Sequence, residues 1–509
     1  MTRETKELND QHDELMNRLD KGRRDFFKRV GVSGAAIAGA GAGATLAPLE
    51  ALAYGGPYDQ AFILDRAMTY MNIGTTGSTP RRVLRNLDDN NRLIARDPRA
   101  SFDRQEMRNQ IAKGFGSDPF EIVMSFNTTD GMSKILNGIP WQAGDEIITT
   151  NMEHGGGNSP MQLQVDRAGV VLKRINLPTG DAYSDAEVLA RFQAMLTNAT
   201  KAICFSSPPY LTGIRLPEKN LCLWAAGIGR MSIVDGAHGP GMLNLNFHDM
   251  GCDFYAGSGH KWQCGPGQTG IMYVRNNYAP AAPATYVKEV TLVGGVPAAL
   301  VLPGYSNTTP LFPFFPPAGG YSGSPGTPLA GGVRNPAHNV ANTIMSVGNP
   351  SYPALRALQE CCTMWDEWDR QQIEDYIVGL AQYLRMRLAS IWGPQSLSTP
   401  YSPALPHHAR IALTSFNPFS PGYDYNADLT PAQASQQTTD SGNAVTALRE
   451  THGFIVRNTN VPHTLRSNPQ MNAAPDATSH PLRISTHLFH RTADVDGLVT
   501  ALLATVPHP

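Results

Sequence analysis

The sequence predicts an α/β fold with two domains, and two observations support that prediction. Three short apolar runs, at residues 122–126, 231–234 and 254–256, have the length of buried strands, and each is followed by a polar turn. The chain of 509 residues, less an N-terminal leader, is also long enough for two α/β domains with a substantial core. We therefore take the turns after these strands as the first places to look for functional side chains.

The first fifty residues have the pattern of an export signal. A basic stretch at 23–28 opens with Arg23 and Arg24, an uncharged run covers 30–49, and Ala-Leu-Ala follows at 51–53. These are the parts of a bacterial twin-arginine signal. A single membrane anchor is the alternative, because the run is about long enough to span a bilayer. Its many glycines favour a leader that is cleaved near Ala53, with the twin-arginine translocase as partner and a periplasmic or extracellular mature protein.

The turn after the first predicted strand is a candidate phosphate site. Residues 127–133 read as a tight turn, after which Ile135 and Leu136 begin a helical pattern. Free backbone N–H groups at a helix N-terminus, together with the hydroxyls of Thr128 and Thr129, suit a dianion. For these residues taken alone, ordinary capping of the helix by Thr or Asp is the alternative.

Asp235 and Lys261, which lies 26 positions further along, together predict a site for pyridoxal phosphate (PLP). A lysine amine in a dry pocket has a lowered pKa and can hold PLP covalently. A carboxylate at the end of the strand 231–234 can keep the pyridine nitrogen of PLP protonated. Each residue alone is more often a solvated lysine or an ordinary Asp-Gly turn, so the prediction depends on their order and on the phosphate turn.

These segments resemble the class V aminotransferases of PLP fold type I, a superfamily that includes cysteine desulfurases, isopenicillin N epimerase-like enzymes and a periplasmic enzyme of pyoverdine maturation. The resemblance covers roughly residues 70–280 and 440–507. It implies a large mixed-sheet cofactor domain, a smaller α+β C-terminal domain and a homodimer. Residues 72–77 resemble the family's substrate-side segment, and Glu153-His154 resembles its ring-stacking histidine motif.

The resemblance also implies a role for each candidate residue. The catalytic residues would be Lys261, Asp235 and His154, with His154 stacked on the cofactor ring and Asp235 paired with its nitrogen. His238 would approach the phenolic oxygen of PLP. The phosphate would be held by Thr128, Thr129, Ser258 and His260. For His154 alone, a structural histidine that caps a loop is the alternative.

The C-terminal end of the sequence predicts a strand at 481–489 and then a helix. The spacing of the helix's apolar residues marks one buried face, formed by Val495, Leu498, Val499, Leu502 and Leu503. Within the strand, Arg483 matches the arginine that grips the substrate α-carboxylate in the family. With Asn72 and Thr75 it makes up the predicted substrate-binding residues, although an exposed strand arginine is the alternative.

Two departures from the family pattern leave the substrate open. Desulfurases carry a mobile cysteine before the arginine strand, but residues 453–483 contain none, so we expect no desulfurase. A polar loop at 457–463, which could meet a substrate, stands there instead, and Phe-His-Arg at 489–491 replaces the usual aromatic-Asn-Thr ending. The six cysteines have no framework spacing and are predicted to be core residues.

The predicted organisation has five parts: a leader at 1–53, an N-terminal segment at 54–98, a PLP-binding large domain at 99–278, an insert at 279–336 and a small domain at 337–509. The insert is rich in Pro, Gly and Ser with interleaved aromatics, too apolar for a flexible linker and too broken for regular structure. It reads as a loop over its own or a partner's pocket, with surface decoration as the alternative.

Composition narrows the function. A net charge of −2, with no basic block, gives no sign of nucleic-acid binding, and no metal site is predicted. We expect a PLP enzyme acting at the amino-bearing carbon of a free or peptide-linked amino acid, most readily by amino-group transfer or oxidative deamination. Epimerase-like racemisation or a C–S/β-elimination lyase is the alternative. A non-catalytic binding protein is disfavoured, because Lys261, Asp235 and the phosphate turn are all kept.

Overall fold

The computed structural model describes residues 58–65, 67–275, 287–291, 297–301, 314, 340–398, 410–463 and 477–509. The predicted leader at 1–53, with Arg23, Arg24 and the cleavage site near Ala53, lies outside the described residues, as does most of the insert. Among the described residues, no helix is long and apolar enough to cross a membrane.

The first part of the chain alternates strands and helices. The elements are β1 (Thr69–Tyr70), α1 (Arg81–Arg96), α2 (Arg104–Lys113), β2 (Ile122–Ser125), α3 (Thr128–Gly138), β3 (Glu146–Thr150), α4 (Gly155–Ala168), β4 (Val171–Ile175), α5 (Asp185–Ala194), β5 (Thr200–Ser206), α6 (Glu218–Gly227), β6 (Met231–Asp235), α7 (Phe247–Met250), β7 (Phe254–Ser258) and β8 (Gly270–Val274). The three predicted strands are therefore confirmed as β2, β6 and β7.

The remaining elements are β9 (Val287–Thr291), β10 (Pro297–Val301), α8 (Val340–Met345), α9 (Tyr352–Glu367), α10 (Arg370–Trp392), β11 (Leu413–Phe416), α11 (Pro431–Glu450), β12 (Phe454–Ile455), β13 (Arg457–Asn458), β14 (Val461–His463), β15 (Ala477–Ser479), β16 (Leu482–Ser485) and α12 (Thr492–Thr505). Short 3₁₀ helices lie at Asp59–Ala61, Pro119–Glu121, Gly180–Ala182, Pro394–Ser396 and Pro421–Tyr423.

A seven-stranded mixed sheet forms the centre of the large domain, in the order β2-β8-β7-β6-β5-β3-β4. Strands β3 to β7 pair in parallel, whereas β8 is antiparallel to both of its neighbours. The carboxyl ends of β2, β3, β5, β6 and β7 consequently meet at one edge of the sheet. In open α/β sheets ligands bind at this edge, and the predicted cofactor residues follow these strands.

The small domain has a core of its own. Its antiparallel sheet has the order β11-β16-β13, and buried residues such as Leu384, Leu448 and Val499 pack α10, α11 and α12 together. Helix α9 and the first half of α10 instead pack into the large-domain core, for example through Leu358 and Ile377. Strands β1 and β12 pair in parallel as a separate two-stranded sheet, which joins the N-terminal segment to the small domain.

Three expectations about local structure are wrong. The strand at 481–489 is shorter and covers only Leu482–Ser485. Leu503 is 38% exposed, because it lies at the edge of the α12 face on which Val495 and Leu502 are buried. The insert does contain regular structure, since β9 and β10 form an antiparallel pair. The prediction for the cysteines is confirmed, because all six are free and buried.

Candidate active site

One pocket at the carboxyl edge of the large sheet, with a volume of about 240 Å³, collects nearly all the predicted site residues. Among its lining residues are Thr75, Thr128, Thr129, His154, Asp235, His238, Ser258, His260, Lys261 and Arg483. Asn72 contacts the pocket through Arg483, because its side-chain oxygen accepts a hydrogen bond from Arg483 Nη2 at 3.1 Å. No group of three or more candidate metal ligands occurs in the described residues.

The phosphate turn opens helix α3 at one end of this pocket. The helix begins at Thr128, whereas the sequence predicted a turn over 127–133 and a helix only after it. The side chain of Asn127 caps the helix by accepting a hydrogen bond from Asp130 N at 2.9 Å. The capping role weighed for Thr and Asp therefore belongs to Asn127. Thr128 Oγ1 is left to pair with Ser258 Oγ at 2.8 Å, which joins the helix N-terminus to the end of β7. This end offers neutral donors and a helix dipole to a dianion.

Lys261 and Asp235 form the electrostatic centre of the pocket. Burial lowers the pKa of the Lys261 amine to about 8, while the Asp235 carboxylate acts in the opposite direction. Burial raises the pKa of Asp235 to about 6, and the Lys261 ammonium holds it down. Asp235 is also fixed in place, since its Oδ1 accepts from Ala237 N at 3.2 Å. Perturbed pairs of this kind are typical of functional sites.

The side chain of His238 is held in one tautomer. Trp262 Nε1 donates to His238 Nδ1 at 3.0 Å, so the proton of the neutral ring is on Nε2. Burial keeps the pKa of His238 well below its usual value. Among the described residues, the buried Nε2 has no hydrogen-bond partner. A buried donor of this kind in a pocket wall is available to an acceptor atom of a bound ligand.

His154 has the capping role that was the alternative from its sequence, and its stacking on the cofactor ring stays a prediction. It is the N-cap of α4, because its Nδ1 accepts from Gly156 N at 3.0 Å, and it also lines the pocket, where its ring meets Tyr210 edge-on at 4.9 Å. The glycines that follow it let α4 approach closely. A Cβ at Gly157 would lie only 2.8 Å from Asp235 Oδ2.

Arg483 lies at the other end of the pocket and is buried, with 1% exposure, so the exposed-strand alternative is wrong. Its Nη2 donates to Thr75 Oγ1 at 3.0 Å as well as to Asn72, and its Nη1 donates to Tyr210 O at 3.1 Å. Burial, and then the nearby Arg457, lower its pKa to about 9. A buried guanidinium held by neutral oxygens is a ready binding site for a carboxylate.

Comparison with known proteins supports the resemblance to class V aminotransferases. The profile of the class-V aminotransferase family matches residues 84–293. We call residues 84–293 the class V domain, after the family whose profile they match. It is 30% identical to the isopenicillin N epimerase of Streptomyces clavuligerus over 219 residues, which are 42% of this chain and 54% of that protein. It is 26% identical to a probable cysteine desulfurase of Synechocystis over 365 residues, 69% of this chain and 76% of that one. The chain thus spans about half the length of the epimerase.

Solved structures support the fold of the class V domain. A cysteine desulfurase from Escherichia coli superposes with a TM-score of 0.60 at 19% identity, covering 88% of this chain and 97% of that one. A cystine C–S lyase gives a TM-score of 0.57 at 20% identity, covering 86% and 98%. The predicted fold class and PLP as cofactor are confirmed, and the match over residues 84–293 supports the prediction of a class V PLP enzyme.

The chemistry of the side chains that line the pocket suits PLP. Lys261 offers the amine that would hold it, Asp235 the carboxylate for its ring nitrogen, and His238 Nε2 an unused donor. The individual roles of these residues remain predictions.

Tyr210 is a pocket residue that the sequence interpretation missed. It follows Ser-Pro-Pro at 207–209, directly after β5, so the rule that functional residues follow strand ends would have found it. Glu153 also has a structural role that was not anticipated. Its carboxyl accepts from Thr150 Oγ1 at 2.6 Å and from Ser206 Oγ at 2.7 Å, which ties the His154 loop to β5.

Proposed function

We propose that the protein uses PLP to act at the amino-bearing carbon of a free or peptide-linked amino acid, and that it transfers the amino group to a keto-acid co-substrate or removes it oxidatively with dioxygen as the oxidant. One observation carries the proposal: an amine, Lys261, and a buried guanidinium, Arg483, face the same pocket, close enough for the charge of Arg483 to lower the pKa of Lys261. That pairing suits a substrate that has an α-hydrogen beside a carboxylate.

In this proposal each side chain has one task. The bound cofactor supplies an electron sink for the bond that breaks at Cα. Lys261, with a pKa of about 8, is partly neutral near pH 7 and takes the Cα proton onto its Nζ. Arg483 holds the carboxylate and so fixes which Cα bond faces that amine. His238 would donate a hydrogen bond from its Nε2 to the phenolic oxygen of PLP.

Racemisation is the second candidate, and it is supported by the 30% identity to isopenicillin N epimerases of Streptomyces clavuligerus and Amycolatopsis lactamdurans. It would need the proton to return to the opposite face of Cα. A C–S or β-elimination lyase shares the same first step, removal of the Cα proton.

Incubating the holoenzyme with L- and D-amino acids in D₂O tests this proposal. Deuterium at Cα, with keto acid or ammonia released, supports amino-group removal. Deuterium with loss of optical purity alone supports racemisation, and pyruvate with sulfide supports a lyase. The absence of exchange from any free amino acid or amino-acid-bearing peptide would refute the proposal.

We also propose that the protein is not a cysteine desulfurase. Its cysteines are buried, and burial raises the pKa of Cys264, whose sulfur contacts His487 Nε2 at 3.7 Å. A persulfide requires an accessible thiolate. Mass spectrometry after turnover with L-cysteine should show no added sulfur on any of the six cysteines. A persulfide formed in turnover would overturn this proposal.

Export through the twin-arginine translocase to the periplasm or cell exterior, and assembly as a homodimer, are further proposals. The double variant Arg23→Lys, Arg24→Lys should leave a folded, PLP-loaded precursor in the cytoplasm. The two arginines are expected to direct the chain to the translocase and not to contribute to folding. Fractionation with immunoblotting measures this, and unchanged export would contradict it. Sedimentation of the mature protein tests the dimer, which a monomeric mass would rule out.

A further inference from the structure

We propose that the substrate carries a second anionic group, held by Arg457 near the pocket entrance while Arg483 holds the α-carboxylate. The inference deepens the proposed function and rests on it, because it takes Arg483 as the carboxylate site. The inferred substrates are acidic amino acids, free or peptide-linked, whose side chain ends in a carboxylate.

The first observation is the register of the small-domain sheet. Strands β13 and β16 are antiparallel, and Arg457 is the direct partner of Arg483. Side chains in such a pair project from neighbouring Cβ atoms about 5 Å apart, and like charges there are destabilising. The fold therefore places two cations side by side at the same pocket wall.

The second observation is that both arginines point to the same atom. Thr75 Oγ1 accepts from Arg483 Nη2 at 3.0 Å and from Arg457 Nη1 at 3.4 Å. Thr75 also donates its own proton to Asn72 Oδ1 at 2.9 Å. A surface arginine without a role would extend into solvent, whereas Arg457 turns toward the pocket that it lines.

The third observation concerns charge balance. Within the described parts of the chain, the hydrogen-bond acceptors of both guanidinium groups are neutral oxygens, from Thr75, Asn72 and Tyr210. Arg483 Nε is buried and has no partner there. The mutual repulsion of the pair is thus left without a counter-charge from these residues, which an anionic ligand would supply.

The two arginines differ in burial, and this difference indicates which part of the substrate each would bind. Arg483 is 1% exposed and its forked guanidinium matches one carboxylate, whereas Arg457 is exposed and, among the described residues, donates to Thr75 alone. Its contact with Thr75 puts it at the substrate end, away from the Thr128–Ser258 pair at the phosphate end. An anion at Arg457 therefore belongs to a part of the substrate further out than the α-carboxylate.

Binding of amine-free ligands to the holoenzyme tests this inference without any turnover. By calorimetry, glutarate should bind at least about tenfold more tightly than pentanoate, which has the same chain length and a single carboxylate. In Arg457→Gln the ratio should fall to about twofold or less. Arg457→Lys should restore part of it, since an ammonium keeps the charge but not the fork. Arg449→Gln, an exposed arginine of α11, is the matched control and should retain the wild-type ratio.

The outcomes separate this inference from the proposed function. Equal binding of the two ligands by the wild-type protein, or an undiminished preference in Arg457→Gln, would overturn the inference. Exchange at Cα of neutral amino acids with no preference for acidic ones would also overturn it while leaving the proposed function intact. Preferential glutarate binding without Cα exchange from any amino acid would refute the proposed function and keep the two-anion site.

Discussion

The two ends of the pocket are built in different ways. At the phosphate end, a helix N-terminus and two hydroxyls, from Thr128 and Ser258, come from the large domain and carry no charge of their own. At the substrate end, Arg483 and Arg457 come from the small-domain sheet and meet a turn that precedes them by about 400 residues, with 411 positions separating Asn72 from Arg483. The first end rests on local motifs, and the second exists only after the domains have packed.

This difference predicts how changes at each end should behave. Changes at Lys261 and its neighbours should alter the retention or the chemical state of the cofactor. Changes among the arginines should alter substrate recognition while the cofactor stays bound.

The largest effect is expected from Lys261→Ala. It removes the amine that attaches the cofactor and the base that takes the Cα proton, so kcat should fall by about 10² to 10⁴-fold or more. Borohydride reduction of the wild-type protein followed by peptide mapping should find the pyridoxyl group on Lys261. Lys219→Ala, an exposed lysine paired with Asp249, is the control and should retain activity. A pyridoxyl group elsewhere, or a wild-type protein that PLP cannot reconstitute, would break the assignment of the cofactor end.

Arg483→Ala should act on the substrate instead. Loss of a charge-assisted bidentate contact costs about 1.5 to 3 kcal/mol, so kcat/KM should drop about tenfold to a hundredfold while the absorbance of the bound cofactor is unchanged. Arg483→Lys should recover little, because one ammonium cannot reproduce the planar fork. Steady-state kinetics beside visible spectra measure both. Normal turnover by Arg483→Ala would place the carboxylate elsewhere.

Sequence reasoning could predict the cofactor end because each of its parts is local. An apolar strand, a turn rich in Thr and Gly, and a lysine soon after a buried run are short patterns whose physical meaning does not depend on the rest of the chain. The details that failed there were boundaries, such as the start of α3 at Thr128 and its cap at Asn127. The first residue of a helix depends on which of several adjacent polar residues caps it.

At the substrate end, Arg483, Asn72 and Thr75 could be predicted only through the resemblance, and Arg457 only as a member of the polar loop at 457–463. That Arg457 faces Arg483 follows from strand register, which no short pattern in either segment specifies. The position of Tyr210 directly after β5 could have been used, but its contact with Arg483, which donates to its carbonyl oxygen from the other domain, could not be predicted from the sequence. The regular structure in the insert was missed for the opposite reason, since its many Pro and Gly residues hide two strands of five residues each.

The pH dependence of cofactor incorporation sharpens the comparison further. Only the neutral Lys261 amine has a free lone pair, and its pKa is about 8, so the rate of PLP uptake by the apoprotein should fall about tenfold per pH unit below 8 and level off above it. The Asp235 carboxylate raises this pKa, so Asp235→Asn should move the midpoint to lower pH. Absorbance changes on mixing at several pH values give the midpoint. A midpoint near that of an ordinary lysine would contradict the buried amine.

The smallest effect is expected at Trp262, whose indole N–H makes its hydrogen bond to the cofactor end through His238. Its Nε1 proton fixes the His238 tautomer, and Trp262→Phe removes that donor while keeping an aromatic ring in the fully buried site. His238 can then leave Nε2 without a proton, and losing a hydrogen bond of this kind costs about 1 kcal/mol, or roughly fivefold in kcat.

A general disturbance of the structure would lower kcat by a similar factor, so the deciding readout for Trp262→Phe is the pH midpoint of the holoenzyme's visible absorbance. Trp365→Phe is the matched control, because that buried indole donates to Gly241 O at 3.0 Å instead. Both variants should lose thermal stability, but only Trp262→Phe should move the midpoint. Equal shifts in both variants, or none in either, would show that His238 does not depend on Trp262 for its proton.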